Sequence, residues 1–109
     1  MLPLIEVREY LDHQGRSPYA QWFNKLNAPA AAKIAVAVIR MSNGNLSNVK
    51  SVGTGVFEYK VDFGPGYRIY FGKDGERLIL LLGGGSKKRQ QTDFENAMVR
   101  WQDYRQRKR

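Results

Sequence analysis

Cysteine is absent from this chain, and histidine occurs once, as His13. No disulfide, thiolate metal centre or multi-histidine metal site can be built from such a set. No apolar run approaches the ~20 residues of a membrane span. The opening MLPLIEVREY has neither the basic start nor the long apolar middle of a secretory leader. A soluble cytoplasmic protein with no metal or other cofactor is the expectation. Acidic residues are also few: 10 Asp and Glu stand against 18 Lys and Arg, giving a net charge of +8 and a pI near 10.0. That balance favours a polyanionic partner such as RNA, DNA or an acidic protein. Surface charge that serves only solubility is the alternative.

What is present reads as one globular domain over residues 1–109, because 42% of the residues are hydrophobic and the length allows one real core. The organising stretch is VFEYKVDFGPGYRIYF, Val56 to Phe71. Phe57, Tyr59, Val61 and Phe63 alternate with charged residues, and after Gly64-Pro65-Gly66 Tyr67, Ile69 and Phe71 alternate with Arg68, Tyr70 and Gly72. Alternation of this kind predicts a hairpin with one buried and one open face. Pairing Phe63 with Tyr67 puts the apolar residues on one side. It sets Asp62 against Arg68 and Lys60 against Tyr70 on the other. A slip by one residue would bury Arg68, so the parity is strongly specified.

The flanking segments follow from local signals. Pro3 to Tyr10 reads as a first strand. Ser17-Pro18 starts a short helix carrying Tyr19, Trp22, Phe23 and Leu26 on one face. Asn27 with Pro29 starts a second, Ala28 to Met41, with a stripe of Ala31, Ile34, Ala35, Val38 and Met41, and Gly44 ends it. Asn45 to Thr54 reads as a connector. Asp74-Gly75 predicts a second tight turn, with Lys73 opposite Glu76, Arg68 opposite Leu81, and Arg77 on the face of Arg68 and Tyr70. Leu78 to Leu82 is apolar without alternation, which predicts an interior strand covered on both faces, with the N-terminal strand at its free edge. Gly83-Gly84-Gly85 leaves room for close approach of backbone or ligand. Thr92-x-x-Glu95 has capping-box spacing ahead of Phe94, Ala97, Met98, Trp101 and Tyr104, although the helix could begin as early as Ser86. The tail Arg105 to Arg109 is expected to be frayed and solvated.

The open face then carries Lys60, Arg68, Tyr70 and Arg77, with Lys87, Lys88 and Arg89 just past the glycines. Such a basic surface suits a phosphate. Cleavage of RNA by its own 2′-hydroxyl needs a base, charge for the phosphorane and an acid. Glu58, Tyr70 or a lysine of lowered pKa could take the proton. A solvated face with an Asp62–Arg68 cross-strand pair is the alternative.

The segments EYKVDFGPGYRIYF and LILLLGGGSKKRQQTDFENA resemble the RelE/ParE superfamily of bacterial toxins, and within it the HigB-like addiction module killer group. The resemblance runs over nearly the whole chain. It implies a small α+β RelE-like fold, mainly antiparallel, with an N-terminal helical hairpin, a C-terminal helix and the helices on one face of the sheet. It also implies a type II toxin–antitoxin toxin and a cognate antitoxin, often a helix-turn-helix protein. The implied activity is metal-independent cleavage of mRNA on the ribosome. ParE members inhibit DNA gyrase instead, and a non-catalytic RNA- or ribosome-binding module is a further alternative. Carried over, the matching strand arginine is Arg68 and the matching loop lysine Lys87, with Tyr70, Lys60 and Gln90 as further matches. Joined to the basic face read above, this makes Arg68, Lys87 and Tyr70 the catalytic candidates and Lys60, Arg77, Lys88, Arg89 and Gln90 the RNA-binding candidates. HigB-type members place a His or Tyr near the C-terminus, where this chain has Tyr104.

Overall fold

A computed structural model describes residues 5–108. Its elements are β1 (Glu6–Glu9), α1 (Pro18–Phe23), α2 (Ala28–Ser42), β2 (Val49–Gly53), β3 (Val56–Val61), β4 (Tyr67–Asp74), β5 (Leu78–Ser86), a 3-10 turn (Lys87–Arg89) and α3 (Gln90–Lys108). The sheet order is β1-β5-β4-β3-β2, with β1 parallel to β5 and the other pairs antiparallel. This is the expected α+β architecture, and β1 takes the edge beside β5 as the apolar run foretold. Pro3 and Leu4 of the expected first strand lie outside the described residues, as does Arg109.

The caps behave as their chemistry requires. Ser17 Oγ accepts from the Ala20 N–H at 3.0 Å and Asn27 Oδ1 from the Ala30 N–H at 2.9 Å, with a proline in each first turn. Past α2, Gly44 takes φ +83°. The buried stripe of α2 is Ala30, Ile34, Ala37 and Met41. Ala35, expected inside, is exposed.

Three expectations about the sheet are corrected. Asn45 to Thr54 is not all connector, because Val49–Gly53 pairs with β3 as an edge strand. Its exposed Lys50 and Ser51 and its register shift at Gly53 hide it from a search for alternation. The first hairpin pairs Val61 with Tyr67 and Tyr59 with Ile69, two residues away from the expected register. The connection takes Asp62 and Phe63 as well as the glycines, with Gly66 N–H donating to Phe63 O at 2.9 Å. A slip of two keeps every side chain on its face, so the expected core survives while the opposed pairs change. In the second hairpin Asp74 pairs with Leu78 across a three-residue connection, and a bulge between Tyr70 and Phe71 sets Arg68 opposite Gly85.

The largest correction concerns the open face. α1 and α2 cover one side of the sheet over Tyr59, Ile69, Phe71 and Leu81. α3 covers the other over Val56, Tyr70, Leu80 and Leu82. Helices on one face were expected; two layers flank the sheet instead. The reason lies in β5, whose apolar residues point both ways and need cover on both sides. The capping box goes unused, since Ser86 leads directly into the 3-10 turn and Thr92 lies inside α3. The tail is not frayed through Lys108. Arg107 donates to Leu11 O, and Lys108 Nζ donates to Asp74 at 2.6 Å. Among the described residues no helix is long and apolar enough to cross a membrane.

Candidate functional site

Where β5 leaves the sheet, three strands bring one row of residues together: Lys60, Arg68 and Gly85. Directly opposed residues share a face, and this is the face of α3. One row inward lie Glu58, Tyr70 and Gly83. Arg68 stands on a central strand and is only 8% exposed, and Glu58 is 5% exposed. Their side chains meet at 3.4 Å, Arg68 Nε to Glu58 Oε1. Buried charges are held in pairs, and here the two-residue register change exchanges the expected Asp62–Arg68 pair for Glu58–Arg68. Asp62 instead approaches Lys60 at 3.8 Å, both in solvent.

Lys87 is held by its backbone. Its N–H donates to Gly66 O at 3.1 Å, tying the 3-10 turn to the β3–β4 connection at the same end of the sheet. The side chains of Lys87, Lys88 and Arg89 are exposed. Beside the first turns of α3, a cleft of about 490 Å³ remains, lined by Lys50, Ser51, Glu58, Gln90, Gln91 and Phe94. The sheet end therefore gathers the candidate residues Lys60, Arg68, Lys87, Lys88, Arg89 and Gln90. Such a surface can hold a phosphate by direct charge.

Three candidates sit otherwise than expected. Tyr70 is not on an open face. It is 1% exposed beneath α3, and its hydroxyl donates to Gln90 O at 3.4 Å. Burial first, and then the neighbouring Glu58, push its pKa up to about 12. Tyr70 therefore holds its proton at neutral pH and is closed off from the open face. Arg77 lies in the β4–β5 connection, exposed, with its carbonyl accepting from the Glu6 N–H at 2.7 Å. That is the far end of β5, roughly 30 Å from Lys87 at strand rise. Tyr104 stacks on Trp101 and donates to Asp74 Oδ2 at 2.7 Å, also at the far end.

Lys50 and Asp93 escaped the reading of the sequence. Lys50 lies in the strand mistaken for a connector, opposite Glu58. Asp93 sits over Gly85, where an added Cβ would come within 1.8 Å of its Oδ2. Burial raises the Asp93 pKa, and Arg89 and Arg100 pull it back. The available signal was the glycine run itself, which leaves a space on the strand for another side chain to fill.

The buried tyrosines make a pH prediction. Burial, with a smaller push from Glu9, also raises Tyr19 to about 12. Both groups start from an ordinary value of 10.0. Their protons are held more tightly in the folded state, so their contribution is complete below pH 10.0 and is lost as pH rises towards 12. Phenolate absorbance should show these two of the six tyrosines ionising only near pH 12 or on unfolding, and stability should fall across that window. Six tyrosines ionising together near pH 10.0 would contradict the burial.

Residues 21–99 match the family model described as Phage derived protein Gp49-like (DUF891). Over 82 residues the chain is 39% identical to an uncharacterized protein of Haemophilus influenzae, covering 74% of this chain and 83% of that one.

Proposed function

Because the chain belongs to the Gp49-like family of phage-derived proteins, a RelE-like toxin family, we propose that it is the toxin of a type II toxin–antitoxin pair and that it stops translation by cutting mRNA on the ribosome. The observation that carries this reading is the gathering of Lys60, Arg68 and Lys87 at one end of the sheet in a chain of net charge +8. In-line attack by a 2′-hydroxyl, its proton passing to water, forms the P–O2′ bond and builds negative charge on the phosphorane. The P–O5′ bond then breaks, and the 5′-oxygen leaves with a proton from water. Arg68 and Lys87 supply the opposing charge, from side chains alone. Lys60, Lys88, Arg89 and Gln90 line up the RNA backbone around them. Tyr70 enters as a positioning residue, since its hydroxyl holds the first turn of α3. The partner is an antitoxin, of the helix-turn-helix type common with such toxins, whose acidic surface covers the same end of the sheet.

Lys87→Ala is the direct test. Lys87 is exposed, so its removal should change stability by no more than about 0.5 kcal/mol. Induced in bacteria, the wild-type protein should leave codon-phased RNA 5′ ends within translated messages, and the variant should lower their yield about 100-fold. Growth arrest with intact messages and inhibited supercoiling by purified gyrase would move the activity to the ParE class. Ribosome binding with intact messages would leave a binding module without chemistry.

A further inference from the structure

β1 covers β5 only as far as Leu81, its last backbone bond being Tyr10 N–H to Leu81 O at 2.9 Å. From Gly83 to Ser86, β5 has β4 on one side and no strand on the other among the described residues. The glycines let helices close over both faces there. Trp22 of α1 lies so near Gly84 that a Cβ would come within 2.3 Å of the indole, and Asp93 of α3 lies on Gly85. Between the two helices, along the bare strand edge, a cleft of about 410 Å³ is lined by Trp22, Lys25, Tyr67, Arg89, Asp93 and Arg100, among others.

The lining is specific in its chemistry. Three cations face one carboxylate. Trp22 and Tyr67 form an aromatic wall, their ring centroids 6.4 Å apart. Arg100 is anchored by its Nη1 donating to Leu82 O at 2.9 Å, whereas Lys25 and Arg89 are exposed. Among the described residues the Asp93 side chain takes no hydrogen bond or ion pair, so it can accept from the amino group of a base. An aromatic surface beside backbone-tracking cations is the combination that holds single-stranded nucleic acid. An acidic peptide would set its carboxylates against Asp93 and leave the aromatic wall unused. Arg89 lies two residues from Lys87 on the same 3-10 turn, about 4 Å along its axis, so the cleft adjoins the candidate catalytic row.

We propose that this edge cleft is a subsite for one nucleotide of single-stranded RNA, next to the bond that is cut. Its base lies against Trp22, and its phosphate lies between Lys25 and Arg89. The inference rests on the reading that RNA is the substrate.

The test is equilibrium binding of a fluorescein-labelled cytidine hexamer to the purified protein across a salt series, run beside message cleavage in cells. Lys25→Ala/Arg89→Ala should weaken hexamer binding at least tenfold. It should also flatten the slope of log K against log salt by about 0.7, which is one phosphate contact on a single strand. Trp22→Phe should keep the fold, checked by thermal melting, and abolish the tryptophan quenching that the hexamer produces. Wild-type affinity in the double variant with messages still cut would overturn the subsite and leave the nuclease reading standing. No binding of the hexamer by the wild-type protein would overturn the subsite as well, and intact messages beside it would remove the nuclease reading. A glutamate decamer that binds as tightly, with the same dependence on Lys25 and Arg89, would reassign the cleft to an acidic peptide.

Discussion

Arg68→Ala is expected to lose both growth arrest and about 3–5 kcal/mol of stability, because it strands Glu58 as a buried charge without its partner. Arg68 and Glu58 keep only 10% and 6% of their side-chain surface in solvent. A loss of toxicity in this variant alone would therefore not separate chemistry from folding. The paired change Glu58→Leu/Arg68→Met does so. Removing both charges and filling the space with apolar atoms is often neutral or stabilising, so the double variant should recover most of the urea midpoint. Message cleavage should stay absent, since the guanidinium is still missing. A stable double variant that cuts messages at the wild-type rate would remove Arg68 from the mechanism and leave it a purely structural role.

Gly72→Ala should be strongly destabilising for a single added methyl. A Cβ at that position would lie 2.2–2.7 Å from three atoms of the Trp101 indole. Trp101 has little freedom to withdraw. It is 5% exposed, is stacked on Tyr104 at 5.6 Å, and has its Nε1 edge against Gly55. α3 would have to lift from β4, at about 3 kcal/mol or somewhat more. For a domain of this size that is a fall in Tm of roughly 10–25 °C. Gly75→Ala is the control: nothing lies within 4 Å of the added methyl, and only the backbone at φ +70° opposes it. It should cost about 1 kcal/mol. Replacing Trp101 by leucine in the Gly72→Ala background should recover part of the loss. Equal Tm shifts for the two glycine variants would mean that the indole does not hold α3 to the sheet.

The element signals were local and were legible. Ser17-Pro18 and Asn27 with Pro29 start helices because their side chains satisfy free N–H groups within one turn. The parity of Val56 to Phe71 followed from its alternation. Register was a different matter. Whether Asp62 belongs to a strand or to the turn depends on how the connection folds, and that changed the partner of Arg68 from Asp62 to Glu58. The candidate site was legible in part for the same reason. Lys60, Arg68 and Lys87 do gather at one end. Arg77 was lost to a three-residue turn, and Asp93 was hidden because its position depends on a glycine eight residues earlier in the chain.

By itself, then, the sequence determined the order of elements apart from β2, the two-faced character of β3 and β4, the absence of thiol chemistry and the positive charge. Each of these rests on contacts within a few residues or on composition. Only the tertiary structure decided which helix covers which face. The apolar residues of Leu78–Leu82 demanded cover on both sides, and α3 supplied the second cover by lying over Tyr70 and Gly72. That closed the face on which Tyr70 was expected to act, and it moved the open chemistry to the end and the bare edge of the sheet.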